Sequence, residues 1–287
     1  MKNVNPIKKI VAAAFVILLS TTTLAKDVVV LVPGFFNSFA PEYFSKDIIG
    51  SFQRKGFSVY VIGGLNPIGN IEENGAKLIP KLQNIRKQET GKINIVAHSA
   101  GGFYSLYAIQ KGTVEISNLV TVSTPYKGLD FIQAWRENSV IFTELTNLAL
   151  LDGLRQLTPQ YAAEFAKTVR VPESLKIFAY GGWQPRSIDI WNARNLSGVL
   201  QITDHFIPGD SDGIVSFKSS LGLNGFLTRT NKSAKMFVDP NFTIPLEHWE
   251  QVLDYKAFIL LGTRNIGVIQ ERQINFYTQI ADLISKN

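Results

Sequence analysis

Five short apolar runs, spaced by stretches long enough to hold helices, constrain the fold of this chain more than any other feature. The first, Asp27-Val28-Val29-Val30-Leu31-Val32, ends at Pro33-Gly34, and the second, Phe57-Ser58-Val59-Tyr60-Val61-Ile62, ends at Gly63-Gly64. Ile93-Asn94-Ile95-Val96-Ala97, Leu119-Val120-Thr121-Val122-Ser123 and Leu175-Lys176-Ile177-Phe178-Ala179-Tyr180 follow. A strand that is apolar and β-branched along its length has to be covered on both faces. Between the second and third runs, Asn70 precedes Glu73 by the spacing of a capping box, and Ile71, Leu78, Leu82 and Ile85 fall on one helical face. The alternation predicts an α/β domain with a mostly parallel sheet and helices on both sides. One interval, Pro125 to Pro172, breaks the rhythm. Its Ile141, Leu145 and Leu148, then Leu150, Leu151, Leu154 and Leu157, read as two or three apolar-faced helices inserted after the fourth strand, with Thr158-Pro159 as a helix start. From about Val268 to Ser285 a last helix carries Ile269, Ile280 and Ile284 and is expected to pack outside the sheet.

Composition narrows the chemistry. Of 287 residues 45% are hydrophobic and only 18% charged, enough apolar surface to offset the entropy of ordering a core. There is no cysteine, which rules out a disulfide framework, a thiolate metal site and a cysteine nucleophile, and leaves Ser, Thr, Lys or a carboxylate for covalent catalysis. Only His98, His205 and His248 offer imidazoles. The formal charge of +6 owes half its size to Lys2, Lys8 and Lys9, and the other Lys and Arg form no run suited to a phosphate backbone, so no nucleic-acid partner is expected.

Those three lysines flank an apolar run, Ile10 to Leu19, that is followed by Ser20-Thr21-Thr22-Thr23-Leu24-Ala25. Charged, apolar and small-residue segments in this order make a secretory signal, cleaved after Ala25. The run is shorter than the ~20 residues a membrane-spanning helix needs. The expectation is a signal peptide over 1–25 and a single mature domain over 26–287, periplasmic or extracellular and monomeric.

Ala97-His98-Ser99-Ala100-Gly101-Gly102 joins the third strand to a helical pattern with Phe103, Leu106, Tyr107 and Ile109. Small residues two places either side of a serine let the chain turn sharply enough to leave the hydroxyl free above the sheet, which is the physical content of the G-x-S-x-G motif, here with alanine first. A serine hydroxyl needs an imidazole to take its proton and a carboxylate to orient that imidazole. On such a strand–turn–helix nucleophile the acid follows in the chain and the histidine comes last. His98 adjoins Ser99 and is expected to support the turn by packing, and His205 lacks a good preceding acid. His248, in Pro245-Leu246-Glu247-His248-Trp249-Glu250, is the expected base. Ile207-Pro208-Gly209-Asp210-Ser211-Asp212-Gly213 offers two acids. Asp212 is favoured, since Gly213 permits a turn and Ile214-Val215 anchors it; Asp210, a solvated turn or a small calcium loop are the alternatives. Two backbone N–H groups are the expected oxyanion donors, that of Ala100 after the nucleophile and that of Phe35 in the Pro33-Gly34-Phe35-Phe36 turn.

In that order the motifs resemble an α/β-hydrolase, and more narrowly the triacylglycerol lipases secreted by Gram-negative bacteria. The similarity also runs through Glu73-Asn74-Gly75, Ser123-Thr124-Pro125-Tyr126-Lys127-Gly128, Leu157-Thr158-Pro159-Gln160-Tyr161-Ala162-Ala163-Glu164-Phe165 and Ser211-Asp212-Gly213-Ile214-Val215-Ser216. It implies the α/β-hydrolase fold with a helical lid or cap insertion at about 129–172, a catalytic Ser99, Asp212 and His248, and oxyanion donors at Phe35 and Ala100. Pro33 stands where the family usually has a histidine before glycine, so that histidine's supporting hydrogen bonds are not implied here. The family's disulfide is absent. Its calcium is held by an acid two places after the histidine, here Glu250, and by an earlier acid for which Asp189 is a rough match; solvated surface and helix-end charge are the other readings of both. The chemistry itself requires no cofactor.

The implied activity is hydrolysis of carboxylic esters, acylglycerols above all, at a lipid–water interface, with residues near Phe131 to Ala166 as a lid. A phospholipase, polyester depolymerase or acyltransferase would share the triad, and an inactive hydrolase fold serving as a binding module would share the architecture.

Overall fold

A computed structural model describes residues 25–38, 42–132, 152–184, 200, 203–227, 233–254 and 266–287. The strands among them are β1 (Val28–Val32), β2 (Ser58–Val61), β3 (Ile93–His98), β4 (Asn118–Val122), β5 (Lys176–Tyr180) and β6 (Lys235–Val238). The helices are α1 (Lys46–Gln53), α2 (Ile71–Gln88), α3 (Gly101–Lys111), α4 (Asp152–Arg155), α5 (Pro159–Thr168), α6 (Phe217–Ser220), α7 (Leu223–Leu227) and α8 (Ile266–Ser285). The strands form one sheet in the order β2-β1-β3-β4-β5-β6, with every neighbouring pair parallel. From β1 the chain steps outward to β2, then returns past β1 and runs the other way from β3. The order therefore reverses between β1 and β3, and at such a switch point a crevice opens at the carboxyl ends of the strands.

Side chains alternate between two cores. Val28, Val30, Val32, Ile93, Ile95 and Ala97 pack with residues of α2 and α3, while Val29, Leu31, Val96, Val120 and Val122 pack with α1 and α8. The expected cap on α2 is present, the Glu73 N–H donating to the Asn70 side chain at 2.8 Å, and Ile71, Leu78, Leu82 and Ile85 are all buried. Gly75 has a contact reason: a Cβ there would stand 2.5 Å from the Tyr107 ring, so its absence lets α2 close on α3. The last helix buries Ile269, Ile280 and Ile284 against the outer core, as the sequence predicts.

Two expectations are corrected. The sequence reading has five strands and misses β6, a four-residue edge strand whose Phe237 is 46% exposed and stacks on Phe178 at 4.8 Å. Its apolar run, Met236-Phe237-Val238, is only three residues long and none of it is fully buried. The other correction concerns the extent of the lid. α5 is capped by Thr158, starts at Pro159 and buries Ala162 and Phe165 in the core. Just before it, the Gln156 side chain accepts the Ile71 N–H and donates to Glu72, both at 2.6 Å, and Tyr161 donates to the same carboxylate at 2.5 Å. Residues 152–168 are thus clamped to the start of α2 and are part of the scaffold. Ile141, Leu145, Leu148, Leu150 and Leu151 lie outside the described residues, as do all but the last residue of the expected signal segment 1–25.

Candidate active site

β3 delivers Ser99 to the switch point. Its φ of 54° lies in the left-handed region that costs a non-glycine residue energy, and a strained turn directly after a buried strand raises the side chain above the sheet edge. The Ser99 N–H donates to the Val122 carbonyl at 2.9 Å, and its carbonyl accepts from Thr124 Oγ1 at 2.8 Å. Room for the bend is made by glycines. A Cβ on Gly101 would stand 2.6 Å from the Val32 carbonyl oxygen, and one on Gly34 would stand 2.7 Å from Ser99 Cβ and 3.1 Å from the Ala100 nitrogen. The turn after β1 and the elbow after β3 are therefore pressed together. Neither the Phe35 N–H nor the Ala100 N–H donates to an acceptor among the described residues. Buried N–H groups are almost always paired, so two without an acceptor among the described residues, on adjoining turns, stand out.

Asp212 and His248 are in direct contact. The imidazole Nδ1 lies 2.8 Å from Asp212 Oδ2, with Asp212 fully buried and His248 3% exposed. The backbone reinforces the pair, the His248 N–H donating to the Asp212 carbonyl at 2.9 Å. Asp212 Oδ1 accepts the Ile214 and Val215 N–H groups at 3.0 and 2.8 Å, made possible by Gly213 at φ 95°, and Oδ2 also accepts from Gln251 Nε2 at 2.8 Å. Burial alone would raise this carboxyl's pKa. The charge and hydrogen bond of His248, with the Val215 and Ile214 donors, outweigh burial and hold it below the usual carboxylate range. With Nδ1–H given to Asp212, His248 Nε2 carries the free lone pair.

The alternatives in the sequence are now separable. Asp210 and His205 are exposed, and Asp212 is the acid that meets the ring. No described strand leads directly into that acid turn; Gln184, shortly after β5, holds it by donating its N–H to the Ser211 carbonyl at 3.0 Å. The acid–base pair and the nucleophile turn meet at His98, the residue before Ser99, whose ring centroid is 4.5 Å from that of His248. His98 does more than pack, for its Nδ1 lies 2.8 Å from the Tyr43 hydroxyl. Burial first, then the neighbouring His248, push its pKa well below that of a free imidazole, against weaker opposing pulls from Asp212 and Gln251.

Two residues of the site escaped the sequence reading. Gln251, fully buried, donates to Asp212 and accepts from Ser123 Oγ at 2.8 Å, tying the acid to the end of β4. Tyr43 accepts the Gly34 N–H at 3.1 Å while contacting His98. Gln251 stands one place past the late-histidine motif, and Tyr43 belongs to no motif.

For calcium, no group of three or more His, Asp or Glu side chains gathers among the described residues. Glu250 is buried and turned to neighbours, accepting from Gln184 Nε2 at 3.4 Å and from the Glu247 N–H at 3.3 Å, and Asp189 lies outside the described residues. The described donors do not make a calcium cage, and no step below passes through one.

No protein-family model matches the chain, and no curated protein does. Solved structures do. A metagenomic carboxyl esterase superposes with a TM-score of 0.65 at 16% identity, over 92% of this chain and 77% of its own. Lipase 1 from Pelosinus fermentans gives 0.64 at 12%, over 92% of this chain and 100% of its own. The mature lipase BlEst2 of Bacillus licheniformis gives 0.55 at 18%, over 85% and 95%. At such identities the likeness speaks for the fold, and the chain has the α/β-hydrolase fold.

Proposed function

We propose that this protein is a serine carboxylic-ester hydrolase that cleaves acylglycerols through an acyl-enzyme. The observation that carries the reading is the buried Asp212–His248 pair, 2.8 Å apart, beside the turn that bears Ser99. In this mechanism His248 Nε2 takes the proton of Ser99 Oγ as the oxygen attacks the ester carbonyl. The carbonyl oxygen becomes an oxyanion, received by the N–H groups of Phe35 and Ala100, each such donor being worth roughly 2.7–4 kcal/mol. Asp212 remains ionised and holds the imidazolium; it fixes the tautomer and takes no proton. Collapse breaks the ester C–O bond, and the alcohol leaves with the proton from His248. A water, deprotonated by His248, then attacks the acyl-enzyme and frees the carboxylic acid and Ser99.

The preference for long acyl chains rests on the Leu- and Ile-rich inserted interval between Pro125 and Pro172. Secretion rests on the charged, apolar and small-residue order of the first 25 residues; no described helix is long and apolar enough to cross a membrane. The test is a fluorophosphonate probe on the mature protein, followed by a nitrophenyl ester series of rising chain length. Labelling that disappears in Ser99→Ala, with kcat/KM rising toward long chains and rising further when substrate aggregates, is the expected result. Absence of labelling overturns the serine mechanism. Labelling with activity confined to short soluble esters overturns the acylglycerol assignment and leaves an esterase.

A further inference from the structure

We propose that Tyr43 is a positioning residue for the oxyanion donors, its one hydroxyl fastening the turn after β1 to the nucleophile elbow after β3. This inference rests on the serine-hydrolase reading above and names a part of that site which no motif marks.

Three observations carry it. First, the hydroxyl has both its bonds committed across the switch point: it accepts the Gly34 N–H at 3.1 Å and contacts His98 Nδ1 at 2.8 Å. Gly34 immediately precedes the Phe35 donor, and His98 is two residues before the Ala100 donor. One oxygen thus spans both donor segments. Second, the hydroxyl can serve both bonds at once. Burial pushes the Tyr43 phenol up, so it keeps its proton, and an oxygen that accepts from Gly34 has that proton to offer His98 Nδ1. His98 is buried and held neutral, as an acceptor at Nδ1 must be. The neutral ring, 4.5 Å from His248, adds no positive charge where the imidazolium forms.

Third, Tyr43 is anchored independently of both turns. Phe44 beside it is 1% exposed, the Ser45 N–H donates to the Val252 carbonyl at 2.8 Å, and Ser45 Oγ donates to Gln273 at 2.8 Å. Val252 lies four residues after His248, so the same short segment is tied to the loop of the base. The turn after β1 has need of such a tether. Pro33 has no N–H to give, and the bonds of Phe36 N–H to the Pro67 carbonyl at 2.7 Å and of Asn37 Nδ2 to the Gly34 carbonyl at 3.1 Å do not reach the elbow.

A space-filling tyrosine and a positioning one differ in what Tyr43→Phe does, since phenylalanine keeps the ring and removes only the hydroxyl. The expected result is a kcat lower by on the order of tenfold with KM little changed, and an equal loss of affinity for a trifluoromethyl ketone analogue, which puts an oxyanion between the donors. His98→Leu removes the same bond from its other end. It is expected to match Tyr43→Phe, to lose nothing more when the two are combined, and to be partly rescued by His98→Asn, whose amide oxygen replaces the Nδ1 acceptor. Wild-type kcat and analogue affinity in Tyr43→Phe overturn the proposal, as does a kcat loss without loss of analogue affinity. Should Tyr43→Phe fail to fold, the His98 variants decide: equal activity in His98→Leu and His98→Asn overturns it. A wild-type protein that takes no fluorophosphonate label overturns the hydrolase reading itself, whereas labelled wild type with unaffected variants overturns the role of Tyr43 alone.

Discussion

At the acid end of the site four donors crowd one carboxylate, whereas at the nucleophile end two backbone N–H groups meet no acceptor among the described residues. The contrast follows from when each charge exists. Asp212 is charged before any substrate arrives, and a buried permanent anion is tolerable only if its lone pairs are filled. In the proposed mechanism the oxyanion exists only during the reaction, so its donors have to be held ready in advance. The acid end is built for satisfaction and the nucleophile end for readiness. Glycine reflects the difference: Gly213 serves a turn that wraps a carboxylate, and Gly34 serves a contact so close that a single carbon would fill it.

Breaking the nucleophile itself has the largest expected effect. Ser99→Ala should lower kcat by on the order of 10⁶ with the fold kept, and near-normal ester hydrolysis would falsify the mechanism. At the acid end, Asp212→Asn should cost about 10⁴ in kcat by leaving the imidazole in the wrong tautomer. Unchanged steady-state kinetics would show that the pair is structural. Gly34→Ala attacks the idle donors without touching a polar group. The new carbon, 2.7 Å from Ser99 Cβ and 2.9 Å from the His98 carbonyl oxygen, has to displace the turn. A loss of roughly 10²–10³ in kcat, the worth of one donor, is expected, and kcat within threefold of wild type would mean that the turn supplies none.

Gln251 sharpens the comparison from the satisfied side. Gln251→Leu should lower kcat about tenfold, since one of several donors to Asp212 is lost. Gln251→Glu puts a second carboxyl against the first, so one of the two holds a proton and the acid limb of kcat/KM moves to higher pH. A pH profile that overlays wild type would mean that residue 251 does not feel the Asp212 charge.

The smallest expected effect is on stability. The Asp212 carboxyl titrates lower in the folded protein than unfolded. Its contribution is therefore complete above the unfolded value of about 3.9 and is lost as pH falls through the lower folded value. Urea midpoints of wild type and Asp212→Asn should keep a constant gap from pH 7 to about 4 and converge as pH falls below about 3.9. A gap that persists unchanged below that value would place the stabilisation elsewhere.

Much of the fold is local in origin and legible for that reason. β1 and β3 announce themselves because every side chain is buried, and the Asn70 cap and the Ile71–Ile85 face obey short-range rules. β6 was hidden because an exposed edge needs no hydrophobic pattern, and the scaffold role of α5 because Gln156, Tyr161 and Glu72 are brought together across more than 80 residues. At the site, Ser99 was readable from its turn and Asp212 from the glycine beside it. Tyr43 was not, since nothing in Glu42-Tyr43-Phe44 foretells that its hydroxyl meets Gly34 and His98.

What the sequence by itself determined were the pieces whose physics is complete within a few residues: buried strands, capped helices, a strained serine turn and an aspartate turn with its own backbone donors. What only the tertiary structure decided was which pieces touch: that His248 closes on Asp212 and leaves Asp210 in water, that Gln251 carries the acid to β4, and that Tyr43 bridges two turns 64 residues apart. The reason is that a hydrogen bond across the sheet edge depends on the packing of both cores together, and no window of the chain contains both.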